Sequence, residues 1–159
     1  MRDRLELRAL DPVARCLIRR LMVPRIYFEA QWPAGASVHV DVLAIDSDGV
    51  GDAHLVEVRR NAADALSRVP FLLEATAPFR WIAFLAGTED AESARALQSQ
   101  EVLSDLARPG RIGVIEIAQQ AGGDLSASVR VSAERFLVAV HEVATAFSAS
   151  HKAHIQFGE

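Results

Sequence analysis

Residues 38–60 read VHVDVLAIDSDGVGDAHLVEVRR. Apolar and β-branched residues flank a stretch holding Gly49 and Gly51, the pattern of two strands joined by a tight turn. The strands are expected over 37–46 and 54–60. The first carries a lone acid, Asp41; the second carries Glu57, Val58 and Arg59. In an antiparallel hairpin the numbers of paired residues sum to a constant. A turn centred near Gly49 sets that constant near 98, and Asp41 with Glu57 gives 98. The two carboxylates are therefore expected opposite one another, with Cβ atoms about 4.5–5.5 Å apart. Alternation puts Arg59 on the same face, with His39 opposite it. A one-residue slip would send the two acids to opposite faces.

Two opposed carboxylates repel unless something cationic accompanies them. A divalent cation is one solution. Magnesium takes one or two carboxylates together with waters and phosphate oxygens, and such a metal can activate water and stabilise charge at a phosphodiester. The plainer reading is a surface charge cluster of Asp41, Glu57, Arg59 and His39, since acid and base at i and i+2 are common on a half-exposed strand.

Working outward, Asp11 can cap a helix, Pro12 suits its first position, and Val13, Cys16, Leu17 and Leu21 repeat at helical spacing, so a helix is expected over 11–23. Arg25 to Trp32 reads as a strand, and Pro33-Ala34-Gly35 as a turn. After Asn61 a helical stretch runs to about Ala75; Pro70 either kinks it or splits it in two, with Ser67 near the second start. Phe79–Ala86 and Ile112–Ala118 look like buried strands. Between them Thr88 is expected to cap a helix running towards Leu106. Leu125–Val131 alternates like an edge strand, and Ser132 is expected to cap a last helix with Phe136, Leu137, Val140, Val143, Ala144 and Phe147 on its apolar face. The tail, 151–159, has no clear pattern. Strands followed by alternating helix and strand predict an α/β domain, a mixed sheet flanked by helices on both faces.

The order helix, three strands, helix, strand over about 11–86, with an acid on one strand and acid-x-base on the next, resembles the PD-(D/E)XK superfamily of restriction-endonuclease-like nucleases. Asp41 matches the first motif acid, with Val40 where a Pro often stands. Glu57 and Arg59 match the second acid and the terminal basic residue. The resemblance implies a restriction-endonuclease-like core with a C-terminal extension over about 87–150. It also implies a magnesium- or manganese-dependent nuclease in which Asp41 and Glu57 hold the metal and Arg59 positions phosphate or water. The family's basic residue is usually Lys; Arg59 is always protonated and cannot act as a base, which weakens the expectation of catalysis. The alternatives are a non-catalytic interaction or scaffolding domain that keeps the fold, and an unrelated α/β protein with a chance acidic hairpin. Glu29 is a further candidate acid for the metal shell, or a solvent-facing strand residue.

The bulk properties narrow the setting. The 159 residues suit one domain with a sizeable core. The net charge of −4 does not favour polyanion binding, but it is unevenly spread. Met1–Arg25 holds seven arginines against three acids, a net of +4, which leaves −8 for the remainder. Those arginines are the expected contact to nucleic acid, if any; a solvated helix face explains them equally well. Lys152 is the only lysine, so an Arg at any one position carries little information by itself. A lone Cys16 and the lack of an apolar leader or span suit a cytoplasmic setting, and a homo-oligomer stays open. The run Asp46 to Asp52 lacks the last ligand of a calcium loop and reads as turn chemistry. His151 and His154 would share a metal only if helical.

Overall fold

The computed structural model describes residues 4–21, 25–31, 39–45, 53–75, 77–86, 112–135 and 154–156. The expected helix after Thr88, the 46–52 turn, Trp32, His151 and Lys152 lie outside these residues.

One helix and three strands open the chain: α1 (Arg4–Leu21), β1 (Arg25–Gln31), β2 (His39–Ile45) and β3 (Ala53–Arg59). Two short helices follow, α2 (Ala62–Leu66) and α3 (Val69–Glu74), then β4 (Phe79–Leu85), β5 (Gly113–Gln119), β6 (Leu125–Val131) and β7 (His154–Gln156). Among the described residues the strands form one seven-stranded mixed sheet in the order β6-β5-β4-β3-β2-β1-β7. β3, β4 and β5 are parallel, and every other neighbouring pair is antiparallel.

Side-chain alternation sorts the core into two layers. Val42, Ala44, Val56, Val58, Trp81, Ala83, Ile115 and Ile117 face α1 and pack on Ala9, Leu10, Val13, Ala14 and Leu17. Ile82, Phe84 and Val114 face the other way, onto Ala62, Ala65, Val69 and Leu72 of α2 and α3. Helices therefore cover both faces, as the sequence predicts.

Three elements differ from expectation. α1 begins at Arg4 and carries Pro12 inside it rather than starting there. An internal proline costs about 3 kcal/mol through a lost hydrogen bond and a steric clash. Burying Leu10, Val13 and Leu17 returns roughly 1.5–3 kcal/mol each, so the apolar stripe carries the helix through the proline. Residues 132–135 are not helical, so Ser132 does not start the last helix; the rest of that segment lies outside the described residues. His154 sits in β7, paired with Tyr27 of β1, so helical spacing to His151 is not available to it. The split at Pro70 is present: α2 is capped by the Asn61 side chain accepting from the Asp64 N–H at 2.8 Å, and Pro70 lies in the first turn of α3. Among the described residues no helix is long and apolar enough to cross a membrane.

Candidate functional site

β2 and β3 pair Val42 with Val56, Leu43 with Leu55, Ala44 with His54 and Ile45 with Ala53, each summing to 98. The register is the one expected from the turn. Asp41 and Glu57 are the next pair along, and both project to the α2/α3 face with Leu43 and Leu55. At this point the ladder gives way to side-chain bonding: the Val58 N–H donates to Asp41 Oδ2 at 2.6 Å.

Both acids are buried, Asp41 at 1% and Glu57 at 0% exposure. They are not a surface cluster. Arg59, from the same strand as Glu57, folds back over the pair. Its Nη1 donates to Asp41 Oδ2 at 3.1 Å and its Nη2 to Glu57 Oε2 at 2.7 Å, so one planar guanidinium bridges the two carboxylates. Nη1 also donates to the Val58 carbonyl at 2.8 Å.

A second cation completes the cluster. Arg68 stands at the N-terminal boundary of α3 and lies over the Phe71 ring at 4.4 Å. From there its Nε donates to Glu57 Oε2 at 3.3 Å. Two carboxylates thus meet two guanidiniums. The arginines form the outer layer, 21% and 29% exposed by side chain, over acids that solvent does not reach. Arg68 is absent from the sequence reading, because nothing at eleven positions' remove says which way a two-helix turn will face.

Burial pushes the Glu57 carboxyl above its usual range, and the negative charge of Asp41 adds to the rise; Arg59 and Arg68 draw it partly back. Glu57 Oε1 is buried and accepts no hydrogen bond. A carboxylate oxygen in that condition gains from a proton.

A dication fits these residues poorly. Magnesium keeps several waters and near-octahedral geometry, and the side chains of Asp41 and Glu57 are buried, leaving them no open surface towards solvent. The Oδ2 and Oε2 atoms already accept two donors apiece. Arg59 and Arg68 already supply the counter-charge of the two buried carboxylates, so a further charge of +2 is unfavourable there. Among the described residues no group of three His, Cys, Asp or Glu is placed to hold a metal. Glu29 does not join the pair: it is exposed, and its φ of 52° interrupts the β1–β2 ladder opposite Asp41.

Two further polar groups lie in the core. Arg80 of β4 is buried beneath α3 and donates through Nη1 to the Leu72 and Leu73 carbonyls at 2.6 and 2.7 Å, closing the helix C-terminus. Burial lowers its pKa to about 10. On the opposite face His54 stacks on Phe79 with centroids 4.4 Å apart, and its Nδ1 accepts from Trp81 Nε1 at 3.1 Å.

No protein-family profile matches the chain, and no curated protein matches it in sequence. Among solved structures it is similar to the SPO1766 protein of unknown function from Silicibacter pomeroyi. That likeness has a TM-score of 0.57 at 17% identity, over 94% of this chain and 84% of that one. It is also similar, more slightly, to SfsA of Pyrococcus furiosus in complex with Ca2+, with a TM-score of 0.39 at 12% identity over 83% of this chain and 64% of that one. The first likeness bears on the fold alone, and the second is too slight to argue from.

Proposed function

We propose that this chain is a nuclease-like domain that serves as a non-catalytic interaction module, its acid pair held shut by arginine. The order α1, three strands, short helices and β4, with acids opposed on β2 and β3, supports the restriction-endonuclease-like core that the sequence resembles. The observation that carries the reading of function is the Arg59 guanidinium spanning Asp41 and Glu57 at 3.1 and 2.7 Å over carboxylates closed to water. A cleaving site needs a base or a metal-activated water beside the phosphodiester. Here the group facing solvent is a guanidinium that cannot give up its proton.

The second reading, a magnesium- or manganese-dependent nuclease using Asp41, Glu57 and Arg59, is favoured by the opposed acids themselves. The two separate in one assay. Plasmid and single-stranded DNA are incubated with Mg2+ or Mn2+ and the wild type, Arg59→Lys or Asp41→Asn. The expected result is no metal-dependent cleavage by the wild type. Cleavage by the wild type that disappears in Asp41→Asn overturns the proposal in favour of the nuclease.

A further inference from the structure

α1 and the edge strand β6 leave an open trough between them. It consists of two adjoining cavities of about 560 and 450 Å³ that share Arg19 and Ala127 as lining. Arg8 and Arg15 line the first and Arg20 the second, with Asp11 and Asp124 as the acids on the wall. All four arginines are exposed.

Their partners matter more than their number. Arg15 is ion-paired with Asp11 at 2.7 Å. Arg8 donates instead to the Gly123 carbonyl, Arg19 to the Arg15 carbonyl and Arg20 to the Ser132 hydroxyl. These acceptors orient the guanidiniums without neutralising them. Three positive charges therefore stand along one wall with no acid among the described residues bonded to them. From Arg8 to Arg19 is eleven residues, about 16 Å of helix at roughly 1.5 Å per residue.

We infer that this trough binds the phosphodiester backbone of nucleic acid. A nucleic-acid strand carries a phosphate about every 3.4 Å along its axis in a duplex, so a row about 16 Å long faces on the order of five phosphates. Guanidinium is the side chain best shaped to bind a phosphate through two parallel hydrogen bonds. An acidic peptide would also meet the charge. Peptide grooves, however, take their specificity from pockets for apolar anchors, and the large apolar side chains here, Leu125 and Val129, pack against the core instead of forming such a pocket. The inference names the partner of the interaction domain proposed above and rests on that reading for its biological sense, but the site is physically separate. α1 packs on one face of the sheet, and Asp41 and Glu57 project from the other. A strand in the trough does not reach the acid pair, which agrees with binding without cleavage.

The test is fluorescence anisotropy with labelled 20-nucleotide single-stranded DNA, the matching duplex, and a polyglutamate of equal charge, from 50 to 200 mM salt. The variants are the triple Arg8→Gln/Arg19→Gln/Arg20→Gln, all exposed, and Asp41→Asn. The wild type is expected to bind at least one DNA form with affinity falling as salt rises, by about 0.7 in log K per log salt for each phosphate held in a single strand. The triple variant, with an unchanged circular dichroism spectrum, is expected to bind at least tenfold more weakly, and Asp41→Asn equally well. The two DNA arms tell strand from duplex. No DNA binding, equal binding by the triple variant, or polyglutamate binding as tightly as DNA each overturns the inference. None of these outcomes touches the cleavage assay, so the two proposals can fail separately.

Discussion

Asp41 does two jobs with one oxygen, and that fixes what its replacement costs. Oδ2 accepts both the Val58 N–H and Arg59 Nη1. Asp41→Ala leaves a buried donor without an acceptor and a guanidinium short of one counter-charge. Breaking one side of a buried pair costs about 3–5 kcal/mol, and urea unfolding of Asp41→Ala should show a loss of that order. Asp41→Asn keeps an acceptor oxygen for Val58 and should lose distinctly less. A loss under 1 kcal/mol in Asp41→Ala would mean the cluster is not structural. Glu57 sets a pH dependence whose sign is opposite to that of an ordinary salt-bridged acid. Its pKa in the fold lies above the unfolded value of about 4.3. The fold thus holds this proton more tightly than the unfolded chain does. The stability so gained is present below about pH 4.3 and is lost as pH rises through the folded value. Melting temperatures across that window should fall for the wild type relative to Glu57→Gln; parallel curves would contradict the burial argument. Glu29 shows what a sequence hides at this scale. It reads as an ordinary strand acid, yet it adopts φ 52°, a left-handed conformation that a side chain reaches only at some cost. Glu29→Gly should be neutral or stabilising by up to about 1 kcal/mol in the same unfolding assay, where a glycine in a regular strand would destabilise.

At the scale of elements, the β2–β3 hairpin was the most legible part of the chain. Turn glycines and strand alternation together determine a register, and a register determines which side chains meet. The acids and Arg59 were brought together by that logic alone. α1 was legible in its apolar stripe but not at its start, because Pro12 mimics a beginning. The proline should still be felt: Pro12→Ala restores an intrahelical donor and should raise stability by about 1–3 kcal/mol, seen as a higher melting temperature. Arg68 could not be read at all, since its meeting with Glu57 depends on how α2 and α3 fold back after Asn61, a tertiary matter. The central parallel strands carry a tight contact of the same kind. Gly113 lies beside Trp81, and a Cβ built there would overlap the indole ring. Gly113→Ala should cost about 1–3 kcal/mol as an overpacked core does, whereas Ala at the exposed turn position Gly122 meets no neighbouring atom and is opposed only by its φ of 97°.

The whole molecule separates its charges by layer. One face of the sheet buries two acids beneath two part-exposed arginines. The other face carries α1, on whose outer wall three arginines have no bonded acid among the described residues. A chain of net charge −4 can in this way present a basic surface, something that composition alone does not convey. The mixed α/β architecture followed from the order of the elements. The roles of the two basic regions did not, because which face of a sheet a helix covers is decided by packing.

The strand order has a consequence of another sort. β6 and β7 are the two ends of the sheet, six inter-strand steps apart, which at about 4.8 Å per step is roughly 29 Å. That span falls in the working range of resonance energy transfer between small dyes. A donor on Ser126 and an acceptor next to β7 would therefore act as a ruler across the entire sheet. It would read whether the short β7, paired with β1 through Arg25, Ile26 and Tyr27, peels away before the remainder of the molecule melts.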